Sequence, residues 1–176
     1  MLGALPASTR PNREKIMIRT FVIAVASAAV LTLSATAFAQ QPDHGTAAEA
    51  KAMLVKAVAA VHADKTKALD MFNKGEGGFL DRDLYVFCND VSEGKIVAIG
   101  NPNAKQILGT DARNLKDSTG KAYGVELVAG EQKPEGEFTE VTYLFPRPGA
   151  DKTPVPKVSL VTSAGPGLGC GVGYYK

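Results

Sequence analysis

From Gly165 onward every second residue of the closing segment is glycine: Gly165, Gly167, Gly169, Gly171 and Gly173. A strand puts alternate residues on opposite faces, so this segment is bare on one side and carries Leu168, Cys170, Val172 and Tyr174 on the other. A phosphate-binding loop is a poor alternative, because it needs a strand, a glycine turn and then a helix N-terminus, and only three residues follow Gly173. Bulky side chains must therefore cover the bare face. Tyr85 and Phe87, which share one parity in Leu84-Tyr-Val-Phe-Cys88, are the candidates if the two segments are neighbours. The same adjacency brings Cys88 and Cys170 together on the opposite face.

These are the only two cysteines of the chain. The front of the sequence says where they reside. Arg10, Arg13, Lys15 and Arg19 precede an apolar run from Phe21 to Leu33, and Ala37-Phe-Ala39 supplies a small-x-small end. That is the form of a signal peptide over residues 1–39, cleaved near Ala39. The run has 13 residues, short of the roughly 20 that a membrane-spanning helix needs, although an uncleaved anchor is the alternative. The leader begins at Met1 or, in more ordinary proportions, at Met17. Export to the periplasm or beyond lets the thiols pair, with two free buried thiols as the other reading. A Cys88–Cys170 bridge would close a loop of more than 80 residues and contribute about 4 kcal/mol in the chain-entropy picture.

Removing the leader takes the formal charge from +2 to −1, and with it goes the electrostatic case for nucleic acid. The remaining 137 residues suit one domain with an ordinary core. Residues 40–45 are a polar lead-in. From Thr46 to Asn73 there is neither Pro nor Gly, Thr46 and Glu49 form a capping-box pattern, and Leu54, Val58, Val61, Ala68 and Phe72 recur at helical steps apart from a gap at Lys65. One long helix is expected, stopped by Gly75, Gly77 and Gly78. Next come a hairpin, 84–88 and 95–99, a loop-rich excursion with short helices near 103–108 and 121–129, and three strands near 138–145, 156–163 and 168–175. The expected fold class is α+β: a five-stranded antiparallel sheet, a long N-terminal helix behind it, and short helices between its second and third strands in front.

The sequence argues against several chemistries. His44 and His62 stand apart, with only Asp64 near the second, so no metal site is expected. Asn89 to Gly94 has the composition of a calcium loop, but Val91 sits where an oxygen ligand is needed, and a hairpin turn fits better. No Cys-x-x-Cys-His is present for covalent haem, and no cofactor is expected. Neither histidine falls where it could activate Ser or Cys, so an enzyme is not expected. A binding site is better supported. Tyr143 and Phe145 share one face of a strand, and Lys157 and Ser159 share one face of the strand expected beside it, an apolar wall with an ammonium and a hydroxyl that suits a small carboxylate. Arg82 and Arg147 flank strand ends as further donors, and Tyr123 on the excursion can close the front. The plainer readings are loop-end charge for Lys157 and Arg147 and core packing for the aromatics.

Taken together, Arg82 to Phe87, Asp90, Gly94-Lys95, Asn101-Pro102, Gly109, Asp111, Arg113, Leu115, Asp117, Gly120-Lys121, Tyr143, Phe145-Pro146, Pro156-Lys157 and Gly171-x-Gly173-Tyr174 resemble the single Cache domains of the type 2 group. These are extracytoplasmic sensor modules of chemoreceptors and sensor kinases, and the resemblance assigns residues 46–176 to one such domain. It implies a PAS-like sheet whose first and last strands are neighbours, with a pocket in front for small molecules, often short organic acids. Members often carry His-Pro-Asn-Pro where this chain has Ile99-Gly-Asn-Pro102, which puts any role of that His in question here. Members also typically continue into a membrane helix and an output module, whereas this sequence stops at Lys176. The expectation is a freestanding periplasmic sensor-type binding protein for a small organic acid, able to present it to a membrane receptor or kinase. The alternative is a structural or partner-binding envelope protein with a vestigial pocket, a homodimer through the long helix.

Overall fold

The computed structural model of the chain describes residues 43–176, so the leader and the start of the lead-in lie outside the described residues. Helix α1 (Ala47–Ala63) opens on the capping box the sequence promised. Thr46 Oγ1 accepts from the Glu49 amide at 3.2 Å and Glu49 Oε2 accepts from the Thr46 amide at 2.8 Å. The expected single helix is broken, however. Asp64 leaves helical geometry at φ −163° and ψ 100°, ending α1 and capping α2 (Lys65–Lys74) by accepting from the Lys67 amide at 2.9 Å. The gap in the apolar spacing at Lys65 marks this break, and Asp competes with helix hydrogen bonding through its own side chain. Gly75, at φ 70°, closes α2 in the left-handed conformation that glycine adopts without strain.

Six strands follow rather than five. The addition, β1 (Leu80–Asp81), is two residues long and pairs with β2 (Leu84–Asp90). Strand β3 (Ile96–Ile99) completes the hairpin on β2, with a register shift between Cys88 and Asn89. Two 3-10 segments, Pro102–Ile107 and Ala112–Asn114, and helix α3 (Tyr123–Glu131) form the excursion. Strands β4 (Thr139–Pro146), β5 (Pro154–Ser163) and β6 (Leu168–Tyr175) return antiparallel. The order is β1-β2-β6-β5-β4, with β3 also on β2, so β2, the first of the expected strands, and the closing β6 are neighbours. The fold is α+β with an antiparallel sheet, as expected.

Strand parity divides the interior into two cores. Behind the sheet, Leu84, Val86, Cys88, Leu160, Leu168, Cys170 and Val172 pack on Met53, Leu54, Ala57, Val61, Ala68 and Phe72 of α1 and α2. Cys88 and Cys170 are direct partners in the β2–β6 register and form a disulfide. In front, Tyr85, Phe87, Val141, Tyr143 and Val161 pack on Tyr123, Leu127 and Val128 of α3 and on Ala104 and Ala112 of the 3-10 segments. Several residues that carry the family resemblance work as fasteners. Asp111 pairs with Arg113 at 2.7 Å, Arg113 also donates to the Glu93 carbonyl at 2.7 Å, and the backbones of Lys95 and Asp111 form an antiparallel β-bridge, tying the excursion to the β2–β3 turn.

Candidate functional site

The bare stripe of β6 is a row of seats, each taken by one side chain. A Cβ at Gly171 would lie 2.3 Å from Phe87 Cζ, one at Gly173 would lie 2.2 Å from Lys157 Cε, and one at Gly169 would lie 2.2 Å from Glu131 Cβ. Real Cβ atoms do not approach so closely, so glycine is obligatory if these side chains are to lie flat on the strand. Phe87 is therefore the cover the sequence suggested. Tyr85 is not: its Cβ faces Gly100, and Lys157 takes the Gly173 seat instead.

Lys157 is wholly buried. Its Nζ donates to the Tyr85 hydroxyl at 2.7 Å and lies 4.2, 5.0 and 4.8 Å from the ring centres of Tyr85, Phe145 and Tyr175. Among the described residues no carboxylate pairs with it within 4.0 Å. Ring faces attract a cation and partly replace the lost water. Because the Tyr85 oxygen accepts from Lys157, its own proton is left to donate elsewhere, strengthened by the charge behind it. Beside this pair, Tyr143 hydrogen-bonds Ser159, also fully buried, at 2.9 Å. Burial, followed by the neighbouring Tyr85, raises the Tyr143 phenol well above its ordinary range, so it stays neutral.

A cavity of about 30 Å³ lies against this wall, lined by Tyr85, Phe87, Asn89, Tyr123, Tyr143 and Phe145 among others. That is room for one or two waters. Tyr123 forms part of its lining, stacked on Tyr143 with centroids 3.9 Å apart and planes parallel within 1°. Beyond Tyr123 and Phe145 an outer cleft of about 380 Å³ is rimmed by Lys116, Arg147 and Lys152.

The two arginines lie apart from the inner cavity. Arg82, in a left-handed conformation at φ 54°, joins Glu49 and Asp81 at 2.7 Å each beside the start of α1. Arg147 pairs with the buried Asp83 at 2.9 Å, stacks over Tyr175 and reaches only the outer cleft. The histidines are equally remote: His44 meets Asp83 and His62 meets Glu135. Among the described residues no His, Cys, Asp and Glu cluster is placed to hold a metal, and no helix is long and apolar enough to cross a membrane.

One pair escaped the sequence reading. Glu131, the last residue of α3, is buried on Gly169, and both its oxygens accept from Asn89 Nδ2, at 2.8 and 2.9 Å. Burial pushes its carboxyl up to about 8 against the opposing Asn89 bonds. A signal was available: Glu131 follows Leu127 and Val128 at helical spacing, which places it on their buried face.

The single Cache domain 2 family matches residues 28–173, and the chain belongs to that family. Members are ligand-binding sensor modules. Among solved structures, the chain is similar to a periplasmic sensor domain of a chemotaxis protein, with 27% identity and a TM-score of 0.54, over 73% of this chain and 88% of that one. It is also similar, at 27% identity and a TM-score of 0.50 over 73% and 86%, to a Cache chemosensory domain described for its recognition of carboxylic acids. A methyl-accepting chemotaxis protein from Vibrio parahaemolyticus, 22% identical with a TM-score of 0.56 over 73% and 86%, shares the fold. No curated protein matches the chain.

Proposed function

We propose that the chain is an extracytoplasmic sensor-type binding protein that takes the carboxylate of a small organic acid against the Tyr85 hydroxyl, with Lys157 behind it, and presents the loaded state to a membrane receptor or kinase. The observation that carries this reading is a fully buried lysine with no acidic partner among the described residues. Burying an uncompensated charge costs several kcal/mol, and a ring cage with one hydroxyl answers only part of it. A ligand carboxylate answers the rest. The rings of Tyr85, Tyr143 and Phe145 would hold its apolar part, and the acid would enter when Tyr123 swings off Tyr143. The likeness to a carboxylic-acid-recognising domain and to a periplasmic sensor domain supports both ligand class and location. A disulfide that persists best in oxidising compartments supports export.

The test is a thermal-shift and calorimetric screen of mono- and dicarboxylates of two to six carbons. At least one acid should stabilise the protein, and Lys157→Met should lower its affinity tenfold or more. No stabilising acid, or equal binding by the variant, defeats the reading.

The small cavity and the half-exposed Val55 on α1 favour a second reading, an envelope protein with a vestigial pocket that dimerises through its helix. Sedimentation separates the two: a dimer lost in Val55→Glu, with no acid bound by either form, would support it.

A further inference from the structure

Three buried polar atoms of the described residues lack any hydrogen-bond partner: Asn89 Oδ1, Thr139 Oγ1 and Thr162 Oγ1. Of these, only Asn89 belongs to a residue lining the inner cavity. Buried polar atoms are nearly always satisfied, so an orphan in a cavity wall asks what comes to meet it. The orientation of this amide is fixed from behind. Glu131 accepts from Asn89 Nδ2 through both carboxyl oxygens, and Glu131 is itself held flat in the space left at Gly169. With its nitrogen engaged there, Asn89 can only turn its other edge away from Glu131.

We propose that Asn89 is a second polar subsite, oriented by Glu131, and that the ligand is a hydroxy acid whose hydroxyl meets the free amide edge while its carboxylate meets the Tyr85 end. This rests on the binding reading above and names the ligand class within it. A hydroxyl fits better than a purely donating or accepting group. It donates to Oδ1 when Glu131 is ionised, and it accepts from Nδ2 if a protonated Glu131 takes Oδ1 and the amide turns over. Spacing sets the chain length. Tyr85, Phe87 and Asn89 point to the same face of β2, and four residues at about 3.3 Å each put the two ends about 13 Å apart at the backbone. The long Tyr85 side chain shortens that gap, and Phe87 supplies an apolar floor between them. A hydroxyl several carbons from the carboxylate suits this arrangement better than one beside it, and room for such a chain opens only as Tyr123 leaves Tyr143, since the inner cavity of about 30 Å³ otherwise holds a water or two. Asn89 would touch the ligand, and Glu131 would act through Asn89 as a positioning residue.

Calorimetry on the intact protein with ω-hydroxyalkanoates of four to eight carbons, each against its matching alkanoate, tests the idea. At one chain length the hydroxy acid should bind at least tenfold tighter, because a site built to hydrogen-bond a group rejects the analogue that leaves it unpaired. In Asn89→Leu that ratio should fall to about one. Since Asn89→Leu leaves Glu131 buried alone, Asn89→Leu with Glu131→Met, which removes the pair together, should show the same collapse in a folded protein. Glu131→Leu with Asn89 retained should lower the ratio without abolishing it. Equal binding of both acids by the natural chain, or a ratio unchanged in the double variant, overturns the subsite and leaves the carboxylate reading standing. Binding of no acid of either series overturns both.

Discussion

The two faces of the sheet are built from the same strands and solve opposite problems. Behind it, Leu84, Val86 and Cys88 of β2 and Leu168, Cys170 and Val172 of β6 are apolar or disulfide-bonded and pack on two helices. In front, the odd positions of β2 present Tyr85, Phe87 and Asn89, β5 adds Lys157 and Ser159, and the covering helix α3 delivers Glu131, the last three all buried. The rear face is where stability is concentrated. The front face keeps more polar groups out of water, and two of the three unpartnered buried polar atoms of the described residues, Asn89 Oδ1 and Thr139 Oγ1, lie there, against Thr162 Oγ1 behind. The contrast teaches that the proposed binding site falls on the face with more interactions left unfinished.

The largest expected effect lies at the back. Cys88→Ala with Cys170→Ala should cost about 4 kcal/mol and lower Tm by roughly 10–20 °C in thermal unfolding. Reductant should reproduce the loss in the natural chain and change nothing in the variant. Next comes a front-face effect with the opposite character, a dependence on pH. Glu131 is raised to about 8 from an ordinary value of 4.5, so the unfolded chain releases this proton first. The stability tied to its neutral form is full below about pH 4.5 and drains as pH rises through 8, by about 2–4 kcal/mol. Denaturant unfolding from pH 5 to 8 should therefore fall more steeply for the natural chain than for Glu131→Gln. Gly171→Ala pushes a methyl into Phe87 and Val161 and should cost about 2 kcal/mol, read by the same method. Smallest is Lys157→Met, which removes a charge that the rings and the Tyr85 hydroxyl answer only in part and should therefore raise the stability of the ligand-free protein, by about 1 kcal/mol. A loss of 3 kcal/mol there would mean that Lys157 belongs to the scaffold, and the contrast between the faces would fail.

The sequence made the architecture legible because period-2 glycines and the two cysteines are rigid constraints. They imply the β2–β6 adjacency, and the Cα pairing of Cys88 with Cys170 agrees residue for residue. The helix break was half legible, as a gap in the apolar spacing at Lys65. What could not be read was which side chain takes which seat. Parity alone offered Tyr85 and Phe87, whereas Lys157 and Glu131 reach the stripe from β5 and α3, elements whose depth depends on tertiary packing. Arg82 and Arg147 were grouped with the pocket because they flank strand ends. Asp81, Asp83 and Glu49 claim them instead, through ion pairs that charge counting along a chain does not reveal.

The glycine stripe also bears on how such a protein can change its ligand. The last strand shapes the site only by making room, so it can be kept intact while the occupants of its three vacancies are exchanged from β2, β5 and α3. A lineage or an engineer could then rewrite the chemistry of recognition one visitor at a time, on a mould that stays the same.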